Sequence, residues 1–232
     1  MTRSKGYGQF CPVAKAAEVV AERWTFLVIR ELLLGSRRFN ELKRGVPLMS
    51  PSLLSQRLKE LERAGIVSRV SARSAKNIQY ELTEAGEQLR PIVENLGVWG
   101  LRWAHDRITR EDLDPGLLMW DMRRGIKGSL LPPGRCVIEF DFGAREKKKR
   151  RWWLVVTDGD VDLCLMHPGH DSDLIVETDL RTMTDVWLRR MGVNDALRGG
   201  LIRLEGRRDL IRSFPEWLGQ SAIATAESNS VM

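Results

Sequence analysis

Polar side chains on one face of a predicted helix form the part of this chain best suited to bind another molecule. The helix is predicted over residues 51–63, because Ser50 can cap it and Pro51 suits its first position. At about 100° per residue, one face is apolar and carries Leu54, Leu58 and Leu61. The opposite face and its flanks carry hydrogen-bond donors: Ser52, Ser55, Gln56, Arg57, Lys59 and Arg63.

These donor types match the groups that duplex DNA presents. Glutamine and arginine pair with base edges in the major groove, while serine and lysine suit phosphate or base contacts. The donor face, together with Ser50, is therefore a candidate DNA contact. The alternative is an ordinary surface helix, since any such helix has one apolar and one polar face. The neighbouring elements decide between the two interpretations.

Those neighbouring elements favour DNA recognition. A shorter helix is predicted over residues 40–45, with Leu42 and Val46 facing inward, which gives the spacing of a helix-turn-helix. Residues 66–73 and 78–83 then have the pattern of two strands joined by a short basic connection. A helix-turn-helix followed directly by a basic hairpin predicts a winged helix.

Positive charge is concentrated in the same part of the chain. The formal net charge is +6, and the whole excess of basic over acidic residues lies in residues 1–106, as phosphate neutralisation requires. Arg37 and Arg38 precede the helix-turn-helix, and Arg73 and Lys76 lie in the predicted wing. We assign all four to DNA contacts, with solvated surface charge as the alternative for the first two.

Four segments of the first half resemble the HxlR family of winged-helix transcriptional regulators. In the family's order they are CPVAKAAEVVAERWTFLVIRELLLG, RRFNELKRGV, SPSLLSQRLKELERAGIVSR and YELTEAGEQLRPIVENLGVWG. The resemblance implies a dimeric DNA-binding regulator whose second helix-turn-helix helix enters the major groove. It also implies that a cysteine at the position of Cys11 acts in some members as a redox or electrophile sensor. The alternative for Cys11 is a small buried apolar residue.

A long apolar stripe follows the winged helix. A helix is predicted from Glu84 to Asp106, capped by Thr83 and bent by Pro91. Its stripe is formed by Leu89, Ile92, Val93, Leu96, Trp99 and Trp103. Such a stripe needs a partner, and the family resemblance implies a second subunit. Packing against the chain's own C-terminal half is the alternative.

The sequence pattern of the second half of the chain predicts a separate domain of α+β class. Residues 1–106 form the DNA-binding and dimerisation domain, 107–116 a charged linker ending in Pro-Gly, 117–220 the second domain, and 221–232 a disordered tail. Several strands are predicted between residues 135 and 206, with helices on either side. Basic residues 145–151 are interpreted as a solvated hairpin loop.

This domain resembles sterol carrier protein type 2-like domains through CVIEFDF, WWLVVTDGDVDLCL and LIVETDLRTMTDVWLRRMGVNDALRGGLIRLEG. The resemblance implies an apolar cavity for a lipid or acyl ligand. The residues that would line it are Trp120, Met183, Trp187, Leu188 and Met191. The alternative is that these side chains fill a core, as aromatic and methionine side chains at helical spacing usually do.

Other function classes lack their sequence signals. There is no P-loop, dinucleotide glycine pattern, nucleophile elbow or zinc-protease motif, so we expect neither an enzyme nor a cofactor. His167 and His170 lack a partner at metal-ligand spacing, so we expect no metal. No apolar run of membrane length and no signal core are present, which predicts a cytoplasmic protein without membrane insertion.

The sequence thus predicts a transcriptional regulator that binds double-stranded DNA, at an inverted-repeat operator, as a homodimer. A lipid or other apolar small molecule in the second domain is the expected modulator. The alternative is a lipid or acyl carrier whose winged helix mediates protein contacts. Salt-dependent binding to random duplex DNA separates the two, because only the regulator requires it.

The donor face and the wing make different predictions on mutation. Gln56→Ala should cost about 1–3 kcal/mol of DNA-binding free energy and relax base preference, because a base-edge pair is lost. Lys76→Ala should weaken binding to all sequences alike and reduce the salt slope by about one. Binding measured across salt concentrations, on selected and random duplexes, checks both. Unchanged affinity and preference for Gln56→Ala would contradict this orientation of the helix.

Overall fold

The computed structural model describes residues 6–71, 78–143 and 151–229. The chain divides into two compact units, Met1–Leu96 and Gly97–Met232. This division differs from the predicted boundary at residues 107–116. That segment is tied into the second unit, because the Ile108 carbonyl accepts a hydrogen bond from Arg181 at 2.7 Å.

The first unit has the element order of a winged helix. Its elements are α1 (Pro12–Val20), α2 (Thr25–Leu33), α3 (Phe39–Gly45), α4 (Pro51–Arg63), β1 (Val67–Ser71), β2 (Ile78–Leu82), α5 (Glu84–Glu87) and the start of α6 (Arg90–Trp103). The strands pair antiparallel, from Val67 opposite Leu82 to Ser71 opposite Ile78. The predicted winged helix-turn-helix is confirmed. The wing tip, residues 72–77, lies outside the described residues.

Helix α4 begins and ends where its capping residues predict. The Ser50 hydroxyl accepts a hydrogen bond from the backbone N–H of Leu53 at 3.2 Å, which satisfies one of the unpaired donors of the first turn. Gly65 adopts a left-handed φ of +72° just after the helix, a conformation that glycine reaches without steric cost. The apolar face is fully buried and consists of Leu54, Leu58 and Leu61.

A buried carboxylate joins α2 to α3. Glu31 is 1% exposed and accepts hydrogen bonds from Arg30 at 2.9 Å and from the Ser36 hydroxyl at 3.1 Å. The same Arg30 nitrogen donates to the carbonyl of Gly45, the last residue of α3, at 3.0 Å. A Cβ added at Gly45 would lie 1.9 Å from the Glu31 carboxyl carbon. A larger residue at this helix end would therefore require the Glu31 carboxylate to leave its place in the network.

The predicted helix from Glu84 to Asp106 is two helices. Thr83 caps α5 by accepting from Gly86 at 3.2 Å, as predicted for this threonine. The chain turns at residues 88–89 before α6 begins. Pro91 explains the break, because proline has no N–H for an intrahelical bond and is tolerated in the first turn of a new helix.

The second unit holds a five-stranded sheet with helices. Its elements after α6 are α7 (Pro115–Gly125), β3 (Arg135–Asp141), β4 (Arg151–Thr157), β5 (Asp160–Cys164), β6 (Leu174–Thr178), α8 (Leu180–Trp187), α9 (Val193–Arg198), β7 (Ile202–Gly206), α10 (Arg208–Trp217) and α11 (Ala222–Asn229). The sheet order is β5-β4-β3-β6-β7. Strand β3 pairs parallel with β6, and the other pairs are antiparallel.

One face of this sheet and the helices enclose the second core. Alternate residues of β3, including Ile138 and Phe140, pack there with Leu154 of β4, Val176 of β6 and Phe214 of α10. The α+β class is confirmed for the chain. Likeness to a sterol carrier protein stays a prediction.

Two predicted elements of the second unit need correction. The segment after residue 220, predicted to be disordered, contains helix α11. Its start is held because the N–H of Ser221 donates to the Trp187 carbonyl at 3.1 Å. A helix is also predicted from Asp179 to about Met191, but it ends at Trp187, and Arg189 then takes a left-handed φ of +61° and reverses the chain. None of the helices in the three described ranges is long and apolar enough to cross a membrane.

The contact between Glu31 and Gly45 makes a stability prediction. Gly45→Ala should lower the free energy of unfolding by about 1–3 kcal/mol, because the buried carboxylate would have to shift away from its hydrogen-bond donors. The matched control is the same change in a Glu31→Ala background, where the added methyl group meets no carboxyl. Denaturant unfolding of the four proteins of this double-mutant cycle gives the coupling. An equal cost in both backgrounds would contradict the proposed contact.

Candidate nucleic-acid interface

The structure presents most of the predicted donor face of α4 to solvent. Ser52, Gln56, Lys59 and Arg63 are exposed, and Ser55 is half-buried on the flank. Ser50 and Ser52 share a hydrogen bond of 3.1 Å between their hydroxyls, so both lie at the N-terminal end of the helix. This end also offers the helix-dipole charge that favours a phosphate.

Arg57 is the exception and corrects its predicted role. It is only 8% exposed, and its guanidinium donates to Glu60 at 2.7 Å and lies 3.6 Å from Glu22. These contacts hold Arg57 in place between α4 and the segment before α2. Its charge is therefore matched by two carboxylates, and we remove it from the DNA-contacting set.

Glu60 also orients the side chain of Gln56. The amide nitrogen of Gln56 donates to Glu60 at 2.9 Å. One N–H and the carbonyl oxygen of the amide can then face outward, which is the donor and acceptor pair that reads adenine. Glu60 is not among the predicted site residues, although its spacing of three and four residues from Arg57 and Gln56 is the signal for such contacts.

The predicted phosphate contacts before α3 are placed beside the wing. The Glu41 carboxylate accepts from the backbone N–H groups of Arg37 and Arg38 at 2.8 and 2.9 Å. The carbonyl of Arg37 accepts from the N–H of Tyr80 in β2 at 2.8 Å. Arg38 is exposed and Arg37 half-buried. The backbone of Arg37 and Arg38 is thus held by α3 and by strand β2 of the wing. Their side chains project from the point where these two elements meet.

Arg73 and Lys76, predicted to contact DNA from the wing, lie outside the described residues.

In the turn between α3 and α4, Leu48 is 82% exposed, and the Lys43 ammonium holds the turn by donating to the Pro47 carbonyl at 2.7 Å. The sequence analysis did not identify Leu48, because a leucine in a tight turn gives no polar signal.

The predicted dimerisation stripe is divided in the structure. Val93 is buried in the first core, and Leu89 packs against it. The other four side chains of the stripe remain 47–72% exposed: Ile92, Leu96, Trp99 and Trp103. Helix α1 has no buried residue, and its Val13 and Val19 are exposed.

Cys11 lies at the N-cap of α1 and is half-buried. The backbone carbonyl of Cys11 accepts a hydrogen bond from the backbone N–H of Lys15 at 3.0 Å. All three cysteines are free thiols, and burial raises the pKa of the Cys136 thiol to about 11. Cys136 is therefore not a thiolate at neutral pH. The sensing role of Cys11 stays a prediction.

The predicted ligand-lining residues of the second unit mostly fill its core. Trp120, Met183 and Trp187 are 0–3% exposed, and Trp187 donates to Asp121 at 2.7 Å. Leu188 packs against the same core. Of the five predicted residues, only Met191 borders the cleft of about 480 Å³ found at this end of the unit. The alternative interpretation, core packing, describes Met183, Trp187 and Leu188, whereas the buried Trp120 ring lies against the guanidinium groups of Arg123 and Arg124.

The two histidines considered as metal ligands have other contacts. His170 lies 2.6 Å from an Arg135 nitrogen, and the His167 ring packs edge-on against Trp153. Within the described ranges, no cluster of three metal-capable side chains is present.

Comparison with known proteins agrees with this geometry. A family model described as HxlR-like helix-turn-helix matches residues 19–108. The HTH-type transcriptional regulator YvaP of Bacillus subtilis (strain 168) is 39% identical over 97 residues, which cover 41% of this chain and 90% of that protein. YkvN, another HTH-type transcriptional regulator of the same strain, is 38% identical over 91 residues, covering 39% of this chain and 77% of YkvN.

Solved structures of regulators are similar to the chain over a comparable length. The redox regulator HypR in its reduced form is 32% identical, with 42% of this chain and 100% of HypR covered, at a TM-score of 0.39. The reduced form of the transcriptional regulator YodB from B. subtilis is 31% identical, with 42% and 98% covered, at a TM-score of 0.37.

Mutation of two basic residues of α4, Arg57 and Lys59, should affect different properties of the protein. Arg57→Ala should lower the free energy of unfolding by about 1–3 kcal/mol, because it removes the packing of a buried side chain and its contacts with Glu60 and Glu22. Lys59→Ala should leave stability within about 0.5 kcal/mol of the parent. It should instead reduce the salt slope of DNA binding by about one.

Thermal unfolding and fluorescence anisotropy on labelled duplexes measure the two effects. A folded, fully stable Arg57→Ala protein that loses more DNA affinity than Lys59→Ala would return Arg57 to the interface.

Proposed function

The chain belongs to the HxlR-like helix-turn-helix family of transcriptional regulators, and we propose that it binds an inverted-repeat operator as a two-fold dimer. The observation that supports this proposal is the exposed donor face of α4, which is capped at its N-terminus and backed by a buried leucine face. Gln56 reads a base edge in this proposal, and Lys59, Arg63 and the serines at the helix start position the helix on the phosphates.

Dimerisation is proposed from the apolar surface that the chain leaves exposed. Four large side chains on one stripe of α6 face solvent, including Trp99 at 56% and Trp103 at 72% exposure. Contiguous apolar surface of this kind marks protein contacts. A two-fold axis along this stripe would bring two copies of α4 to successive major grooves, about 34 Å apart.

Modulation by a small molecule is proposed from the second unit. Its basic and acidic residues balance over residues 107–232, so it adds no general attraction for phosphate. Helix α6, which carries the proposed dimer surface, continues into this unit. A ligand that changes the second unit can thus change the dimer geometry. The competing proposal is a lipid or acyl carrier whose winged helix contacts proteins.

Operator selection tests the proposal as a whole. DNA bound by the full chain is selected from a random duplex pool, and affinity for the selected sequence is then measured across salt concentrations. We expect an inverted repeat and a log–log salt slope of several units, because each neutralised phosphate contributes about 0.9. The carrier proposal predicts neither result, so weak binding without sequence preference would favour it.

The dimer surface makes a mutational prediction. Leu96→Glu should convert the dimer to monomer in sedimentation velocity, because it would bury an unpaired charge in an apolar contact. Operator affinity should fall by at least about tenfold, since the two half-sites are no longer linked. The matched control is Leu165→Glu, which puts the same charge on another exposed leucine, in the second unit. Monomeric parent protein at micromolar concentration would contradict dimerisation.

A further inference from the structure

Among the residues that the structure describes, Leu48 is the most exposed leucine, at 82%. It lies in the turn between α3 and α4. The backbone N–H of Met49 donates to the Val46 carbonyl at 3.0 Å, which closes a four-residue turn with Pro47 and Leu48 at its two central positions. Val46 and Met49 are each 1% exposed and belong to the first core. The buried ends of the turn therefore leave Leu48 projecting from its corner.

Hydrogen bonds fix the chain on both sides of Leu48. On the side of α3, the Lys43 ammonium donates to the Pro47 carbonyl at 2.7 Å. On the side of α4, the Ser50 hydroxyl accepts from the backbone N–H of Leu53 at 3.2 Å and caps the helix. Leu48 lies two residues before this cap, so the Cα atoms of the two residues are at most about 7 Å apart.

Leucine is an uncommon choice for the corner of a turn. Glycine, asparagine, aspartate and serine are the usual residues there, because they tolerate the turn conformation or hydrogen-bond to nearby backbone. Leucine does neither, and its side chain is left in water. A single exposed leucine elsewhere on a surface would need no explanation. Leu48, however, directly precedes the helix that carries the proposed DNA contacts.

The charge around Leu48 favours a nucleic acid as the partner that covers it. Residues 42–59 include no aspartate or glutamate. Arg44, Ser50 and Lys59 are among the exposed residues of this stretch, and each carries positive charge or a hydrogen-bond donor. Such a surface attracts phosphate. An apolar side chain among these donors needs an apolar group on the same partner.

Duplex DNA presents such a group in the major groove. It is the C5 methyl group of thymine, against which apolar side chains pack. The N-terminal residues of the second helix of a helix-turn-helix are the ones that reach base edges, and Leu48 stands immediately before them. Deoxyribose is also partly apolar, but it occurs at every nucleotide and carries no sequence information.

We propose that Leu48 is a specificity residue, which packs on the C5 methyl group of one thymine in each half-site of the operator. The inference rests on the proposed function, because it requires an operator and the entry of α4 into the major groove. Gln56 reads a base edge by hydrogen bonds, and Leu48 adds an apolar contact. Cytosine has no methyl group and is therefore disfavoured at the position that Leu48 covers.

Removal of a single methyl group from the DNA tests this contact. Affinity of the full chain is measured by fluorescence anisotropy for its selected operator and for duplexes in which deoxyuridine replaces one thymine of each half-site at a time. Deoxyuridine pairs with adenine as thymine does and lacks only the methyl group. We expect one position at which affinity falls about fourfold for each methyl group removed, the factor that corresponds to burial of one such group.

Leu48→Ser is the decisive variant, because serine suits the turn and removes the apolar side chain. Its melting temperature should equal that of the parent, since the leucine is exposed. It should bind the selected operator at least about fourfold more weakly than the parent does, and it should bind the thymine and deoxyuridine duplexes equally. The matched control is Leu165→Ser, which changes another exposed leucine, in the second unit, and should retain the preference for thymine.

Four outcomes would overturn the contact with thymine. The parent might be indifferent to every deoxyuridine replacement, or its half-sites might contain no thymine. Leu48→Ser might lose affinity equally on thymine and deoxyuridine duplexes while the parent shows no difference between them, which would assign Leu48 to the sugar-phosphate backbone. Leu48→Ser might also sediment as a monomer where the parent is a dimer, which would assign Leu48 to a contact between two copies of the chain.

The same titrations distinguish failure of this inference from failure of the proposed function. A parent that selects an inverted repeat and binds it with a salt slope of several units supports the proposed function. In that case, indifference to deoxyuridine overturns only the role of Leu48. A parent that selects no operator overturns the proposed function, and the role of Leu48 with it.

Discussion

The helix-turn-helix depends on the buried carboxylate of Glu31. An isolated charge at 1% exposure would destabilise the fold by several kcal/mol, so its partners must be supplied locally. Arg30 and Ser36 supply them, and Arg30 also holds the carbonyl of Gly45. One polar network thus fixes α2, the connection after it and the end of α3 relative to one another. The turn that aims α4 begins directly after this network.

Thr83 plays the corresponding role at the other end of α4. Its hydroxyl donates to the Gly65 carbonyl at 2.6 Å, and its N–H donates to the Ile66 carbonyl at 3.0 Å. The same hydroxyl accepts from Gly86 and caps α5. The recognition helix, the wing and the next helix therefore meet at one side chain. The donors of α4 are exposed, but the backbone that carries them is held at both ends, which is the condition for reading bases by geometry.

Sequence reasoning succeeded where the deciding interactions are local. The bounds of α4 follow from Ser50 and Pro51, which act within one turn. Sequence reasoning failed where the interacting residues are distant in sequence. Arg57 is buried because Glu22 comes from another part of the fold, and a helical wheel contains no such information. Trp187 has helical spacing in either a core or a cavity, and only the surrounding elements show that it packs in a core. The strand order of the second sheet likewise depends on non-local pairing.

The parallel pairing of β3 with β6 has a consequence for the order of folding. Ile138 of β3 lies opposite Leu174 of β6, so the centre of the sheet pairs two strands that are separated along the chain by β4 and β5. Contacts of this sequence separation slow folding, because loop-closure entropy is lost before the strands gain their pairing. The winged helix is built from short connections, and it is synthesised before the second unit because it precedes that unit in the chain. The chain therefore acquires its DNA-binding surface before the unit proposed to control it.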